Sequence, residues 1–231
     1  METLWNGIVM EQGSFRLGTD SVLLSQFLSL PSRARIADLG SGVGTLGLLL
    51  CATHPDCTVV GVELDEQAHR LACDNIEKNR LQGRMRSICG DVRELRTLLC
   101  AQSVDCVISN PPYFPVGSGK LASGARSELT LNLQELCRAA AWLLPSGGRF
   151  ALVHRPERLC DLMCALRENG MEPKRLRFVR HRADALPCLV LLEARRGGRP
   201  GLTYEADLIE FHPDGTETQA YRAAYHRGET P

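Results

Sequence analysis

An open α/β sheet, mostly parallel and covered by helices on both faces, is the fold class these 231 residues predict. Three observations carry it. Short aliphatic runs at 35–39, 58–63, 85–89, 106–109 and 149–153 alternate with helical patterns over 44–53, 65–80, 93–101, 130–143 and 157–169. That rhythm calls for parallel strands joined by crossover helices. A glycine-rich turn, Asp38-Leu39-Gly40-Ser41-Gly42-Val43-Gly44, links the first of these strands to its helix. Strands at 174–181 and 188–194 have no helix between them, so they are expected to form an antiparallel hairpin at one edge, completing seven strands.

The flanking elements follow from punctuation. Residues 8–17 read as a short hairpin turning near Gly13, and Thr19 or Asp20 caps a helix that runs to Leu30 and stops at Pro31. Arg196-Gly197-Gly198-Arg199-Pro200-Gly201 reads as a turn, followed by a strand over 204–211 and a helix over 217–226. The expected organisation is one domain over 1–231, with an N-terminal hairpin and helix at 1–33, a core sheet at 34–195 and an extension at 196–231.

Composition narrows the class. Hydrophobic residues make up 44% and charged residues 23%, the balance of an ordinary globule with a real core. No apolar run reaches the roughly 18–20 residues of a membrane span. Met1-Glu2-Thr3-Leu4-Trp5 has neither the basic nor the apolar region of a secretory signal, so the cytoplasm is the expected compartment and no membrane is expected as partner. The ten cysteines are scattered with no Cys-x-x-Cys pair, and the six histidines form no HExxH pattern. Reduced thiols packed as small hydrophobes are expected, and no metal.

Charge is balanced at 27 basic and 27 acidic residues, but unevenly spread. Residues 1–74 carry 4 basic and 9 acidic side chains, 149–182 carry 9 and 4, and 200–231 carry 2 and 6. The basic stretch includes Arg175, Arg177 and Arg180, and one reading makes it a strip that tracks a phosphate backbone. Solvated surface is the plain alternative.

The glycine turn opens a helix at the carboxyl edge of the sheet, where ligands of such folds bind. Gly40, Gly42 and Gly44 let a ligand approach the backbone closely. Gly42-Val43-Gly44-Thr45-Leu46-Gly47 also satisfies the dinucleotide pattern, yet Asp38 stands where its charge would face a pyrophosphate. An anion there suits S-adenosylmethionine, which carries ammonium and sulfonium groups and no phosphate. Glu63 closes the second strand, placed for the two ribose hydroxyls, and Asp91 follows the third, placed for the adenine amino group.

The fourth strand runs into Asn110-Pro111-Pro112-Tyr113-Phe114. Two prolines stiffen the segment and remove backbone donors. Asn110's side-chain oxygen and Pro111's carbonyl can then accept both hydrogens of one planar NH2 group, and Tyr113 offers a face for a base to stack upon.

Taken together, Asp-x-Gly-x-Gly-x-Gly, the acidic second-strand end and Asn-Pro-Pro-Tyr resemble the class I S-adenosylmethionine-dependent amino-group methyltransferases, a Rossmann-like family. Within them, Phe15-Arg16-Leu17-Gly18-Thr19-Asp20-Ser21-Val22-Leu23-Leu24 is similar to the N-terminal segment of the bacterial tRNA1(Val) N6-adenine methyltransferases. The resemblance implies that this segment closes over the methionine end of the cofactor. It adds Gly18, Thr19, Leu64 and Val92 to the cofactor residues, with Asn110 shared between cofactor and acceptor. It implies methylation of the N6 of an anticodon-loop adenine in a valine tRNA; separately, a monomer is expected. The Gly/Ser-rich loop at 115–127 reads either as a surface connection or as a lid over the target base, with Lys120 and Arg126 against phosphate. Methylation of a protein glutamine amide, of guanine N2 or of DNA adenine uses much the same inventory, and a cofactor-binding adaptor with a vestigial site is the non-enzymatic alternative.

Overall fold

The computed structural model describes residues 2–3, 7–11, 13, 18–111 and 131–225. Eleven strands and seven α-helices are assigned among them. The parallel strands are β3 (Arg35–Leu39), β4 (Thr58–Glu63), β5 (Met85–Cys89), β6 (Cys106–Ser109) and β7 (Arg149–His154). Then come β8 (Met171–Arg180), β9 (Leu189–Arg196), β10 (Thr203–Tyr204) and β11 (Leu208–Ile209). Their order is β10-β8-β9-β7-β6-β3-β4-β5, with β11 also pairing β8.

Period-two side chains explain how the sheet separates two cores. Ile36, Val59, Cys106, Ile108, Ala151 and Leu191 face one side. Ala37, Leu39, Val60, Val62, Val107, Leu152 and Leu192 face the other. The first face is covered by α1 (Thr19–Phe27), α2 (Thr45–Thr53) and α3 (Glu66–Lys78), and the second by α5 (Leu133–Leu143) and α6 (Leu159–Glu168), with α4 (Leu95–Leu98) beside them. Leu46, Leu48, Leu49, Leu50 and Cys51 bury nearly all of α2, so it has no polar face.

Several expected details change. The antiparallel pair is β8 and β9, but it is not an edge, because β10 and β11 add to β8 in parallel and bring the sheet to nine strands. The tail supplies two short strands where one was expected over 204–211. At the other terminus β1 (Glu2–Thr3) pairs with β2 (Val9–Met10), while most of the second arm of the hairpin expected over 8–17 lies outside the described residues. Helix α1 has Gly18 at its N-cap with no side-chain cap, and it ends at Phe27. Strand β8 starts earlier than expected because Pro173, which has no N–H to give, sits at a bulge between Pro173 and Arg175.

Two asparagines fasten the N-terminal strap to α3. Asn75 Oδ1 accepts from Glu11 N at 2.7 Å, while its Nδ2 donates to Glu11 O and to Val43 O of the glycine turn. One turn later, Asn79 holds both backbone groups of Val9. The last helix, α7 (Gln219–Ala224), is capped by Thr218 and places Tyr221 and Ala224 in the same core as Val22 of α1. Among the described residues, no helix is long and apolar enough to cross a membrane.

Candidate active site

Strand β3 has β4 on one side and β6 on the other, and the chain fills the β4 side before crossing back to β6. That reversal makes a topological switch point, and the crevice outside its carboxyl ends is where open α/β sheets bind ligands. The glycine turn leaves β3 at this point, and Asn110 leaves β6 beside it: Asp38 is in register with Ile108, two residues before Asn110. Neighbouring strands run about 4.8 Å apart, so the two crests are adjacent.

The turn is shaped for close approach. Gly40, Gly42 and Gly44 have φ of 75°, 54° and 86°, a region side chains rarely adopt. A Cβ added at Gly40 or Gly42 meets nothing within 4 Å, so both borders of the turn are open to an incoming ligand. Gly44, by contrast, is packed against Met85 and Ala72, so its role is to let the helix begin.

Asp38 is 1% exposed, and neither carboxylate oxygen has a hydrogen-bond partner among the described residues. Burial, and then the nearby charge of Glu63, push its pKa up to about 8. A buried carboxylate without a donor is costly. A cationic ligand in the crevice supplies the missing compensation, and a pyrophosphate would aggravate it.

Glu63 joins the pieces. Its Oε2 accepts from Gly42 N and its Oε1 from Asp65 N, each at 2.8 Å, which ties the glycine turn to the start of α3. Each oxygen keeps a second lone pair for a ribose hydroxyl. Leu64, next to it, is 48% exposed, an apolar platform at a polar edge. Glu63→Ala is therefore expected to raise the cofactor's Kd about ten- to a hundred-fold, the scale of charged hydrogen bonds. Calorimetric titration with the cofactor checks this, and an unchanged Kd removes Glu63 from the site.

Asp91 caps the short 3-10 turn that contains the buried Val92, and it accepts from Arg93 N at 2.8 Å. The Arg93 side chain also bonds both carboxylate oxygens and holds the Asp91 pKa below its ordinary value. Thr19, expected at the cofactor, has its hydroxyl 3.1 Å from Tyr225 Oη and 3.3 Å from Tyr221 Oη of the tail, while Gly18 precedes it as the N-cap. Asn110 Nδ2 donates to Ser21 Oγ at 3.0 Å. Pro111 is buried beside it. Pro112, Tyr113, Lys120 and Arg126 lie outside the described residues.

The basic strip meets acidic partners in the fold. Arg175 pairs with Glu193 at 2.9 Å and Glu205 at 2.7 Å, Arg177 with Glu205 at 2.6 Å, and Arg180 with Asp207 at 2.5 Å. Glu205 and Asp207 come from the acidic tail. The charge asymmetry seen along the sequence is thus met within the fold, where the acidic segment docks on the basic strand. Arg175 also donates to Phe27 O at the end of α1 and lies over the Phe27 ring.

Cys51, Cys57, Cys106 and Cys137 pack as expected, whereas Cys73, Cys89, Cys100, Cys160 and Cys164 are exposed. His181, Cys188 and Glu210 offer ligand atoms within 4.8 Å of one another. There, however, His181 Nδ1 contacts Glu210 Oε2 directly and the Cys188 thiol donates to Val179 O, so the three already satisfy ordinary contacts. Sequence reasoning missed His154 at the carboxyl end of β7. Burial pushes its pKa down to about 4, so it is neutral near pH 7, and its Nδ1 accepts from Arg155 N. A cavity of about 430 Å³ lined by Arg35, Thr58, Arg84 and Ser103 opens at the amino ends of β3 and β4, opposite the crevice.

Comparison with known proteins agrees with this geometry. A family model described as the methyltransferase small domain matches residues 12–164. A curated tRNA1(Val) (adenine(37)-N6)-methyltransferase of Tolumonas auensis is 32% identical over 205 residues, covering 87% of this chain and 84% of the relative. The protein of the same description from Porphyromonas gingivalis ATCC 33277 is 32% identical over 194 residues, covering 79% and 75%. The chain belongs to this methyltransferase family. It is an S-adenosylmethionine-dependent methyltransferase. Solved structures share the fold. A predicted O-methyltransferase of Agrobacterium tumefaciens superposes with TM-score 0.76 at 22% identity, over 90% of this chain and 96% of the other. TrmN of Thermus thermophilus gives 0.59 at 24% identity, over 76% and 48%.

For this methyltransferase the residues present fit the cofactor. The orphaned Asp38 carboxylate suits its positive end, the open glycine positions suit close backbone approach, and Glu63 and Leu64 suit a ribose and its base.

Proposed function

We propose that the enzyme methylates the exocyclic N6 of an adenine in tRNA, the anticodon-loop adenine of a valine tRNA, acting as a monomer in the cytoplasm. The observation that carries this reading is Asn110 at the end of β6, beside the glycine turn of β3, with its amide nitrogen engaged by Ser21. The descriptions of the curated relatives point to the same substrate.

An adenine N6 is a poor nucleophile because its lone pair is delocalised into the ring. S-adenosylmethionine, when bound, supplies a methyl group on an electrophilic sulfonium. The protein's part is to present the amine. Asn110 Oδ1 and Pro111 O accept its two N–H bonds, which favours a pyramidal nitrogen and stabilises the positive charge that grows on it. Fixing acceptor and donor in line is worth up to about 7–11 kcal/mol in favourable cases. The base must leave its stack to reach the crevice, and stacking on Tyr113 offsets roughly 1–3 kcal/mol of that cost. Lys120 and Arg126, in the segment after Tyr113, are the proposed phosphate contacts, a role the pairing of Arg175, Arg177 and Arg180 leaves to other cations.

Incubation with methyl-labelled cofactor and separate pools of tRNA, rRNA, DNA and release factor tests the reading. Label is expected in tRNA and, after nuclease digestion, in N6-methyladenosine. Label confined to release factor or DNA would overturn it.

A further inference from the structure

Helix α1 meets the acceptor side of the crevice at Ser21. Ser21, on its first turn, is 8% exposed, and its Oγ accepts from Asn110 Nδ2 at 3.0 Å across 89 positions of chain. The other buried serine of the helix, Ser25, satisfies its hydroxyl locally on Val22 O at 2.7 Å, whereas Ser21 reaches across to Asn110. We propose that Ser21 is a positioning residue for methyl transfer, holding the Asn110 amide in the plane and orientation that present its oxygen to the acceptor amine. This rests on the role given to Asn110 above.

Two physical effects follow from the contact. The terminal torsion of an asparagine is broad and roughly two-fold, so an unsupported amide samples many planes and both of its ends. Accepting one N–H at Ser21 confines it, with nitrogen toward α1 and oxygen on the opposite edge. A hydrogen bond donated by an amide nitrogen also polarises the group and makes its oxygen a stronger acceptor. Both effects matter as charge develops on the reacting amine, and neither concerns cofactor binding.

For Ser21 to confine anything, α1 must itself be held. Its first residue, Thr19, is engaged by the hydroxyls of Tyr221 and Tyr225, and those two rings meet tilted at 55° with 5.0 Å between centroids. Its last carbonyl region is gripped by Arg175, which donates to Phe27 O at 3.0 Å and to Ser29 Oγ at 2.5 Å. The tail and β8 thus brace both ends of the helix.

The test is Ser21→Ala, assayed with methyl-labelled cofactor on whichever substrate pool accepts label. The expected result is a fall in kcat of about ten-fold, the scale of one hydrogen bond, with cofactor Kd within two-fold of wild type. Ser21→Thr, which keeps the hydroxyl, is expected to restore most of the rate. Thermal unfolding of each variant shows whether it folds; should Ser21→Ala fail to, Ser21→Cys replaces it with the same expectation, since a thiol is a weak acceptor. An unchanged kcat overturns the inference, as does a rise in Kd that matches the lost rate. Asn110→Ala is the control: if it too retains turnover, the reading of the site fails, whereas its loss beside a fully active Ser21→Ala sinks the positioning role alone.

Discussion

Asn110→Ala is expected to lower kcat by about two to three orders of magnitude, the loss typical of removing one preorganised group that stabilises developing charge. Cofactor Kd is expected to stay within a few-fold. The separation follows from where the residue stands. Asn110 ends β6, on the acceptor side of the switch point, whereas Asp38, Gly42 and Glu63 belong to the ends of β3 and β4 and their turn. An interaction made only as the amine gains charge lowers kcat and kcat/KM together, while loss of ground-state binding raises KM. Single-turnover rates with calorimetric cofactor titration measure both. A strong loss of cofactor affinity with the chemical rate intact would move Asn110 to the cofactor's side of the crevice.

Asp38→Asn is expected to weaken cofactor binding and to flatten its pH dependence. In the cofactor-free protein burial raises the Asp38 pKa to about 8, so near pH 7 the folded protein retains a proton there that the unfolded chain has released. Folded stability from this group is therefore complete below the ordinary carboxylate pKa. It declines as pH rises toward about 8, at about 1.4 kcal/mol per unit. A cation bound beside Asp38 favours the ionised form, so binding expels the proton and the wild-type affinity should climb, up to about ten-fold per pH unit, until about pH 8. The asparagine variant has no proton to release. Its Kd should be higher and level across that range, and its melting temperature without cofactor should exceed that of wild type at pH 8.5 more than at pH 6. Titrations in two buffers of different ionisation enthalpy report the proton directly. Identical pH slopes for wild type and variant would show that Asp38 does not meet the cofactor's charge.

Much of the site was legible because its signals are local. A strand followed by Asp38 and three alternating glycines specifies a turn that other residues cannot adopt, and the φ values of Gly40, Gly42 and Gly44 show the reason. Asn110, between an apolar strand and two prolines, announces itself likewise. What stayed hidden depends on partners distant in sequence. Ser21 lies in the family segment, yet nothing along that segment points to Asn110 as its partner. Thr19 matches a family segment, yet its hydroxyl belongs to two tyrosines some 200 positions on.

Alternation of strand and helix, the glycine turn and the Asn-Pro-Pro-Tyr element determined by themselves the layered α/β fold, the crevice and the class of chemistry, since short-range sterics and period-two patterning dictate them. Only the tertiary structure decided which charges are spent. Arg175, Arg177 and Arg180 look like a cationic face along the chain, but Glu193, Glu205 and Asp207 reach them in the fold. Coulomb attraction depends on distance through space, and a sequence records only distance along the chain.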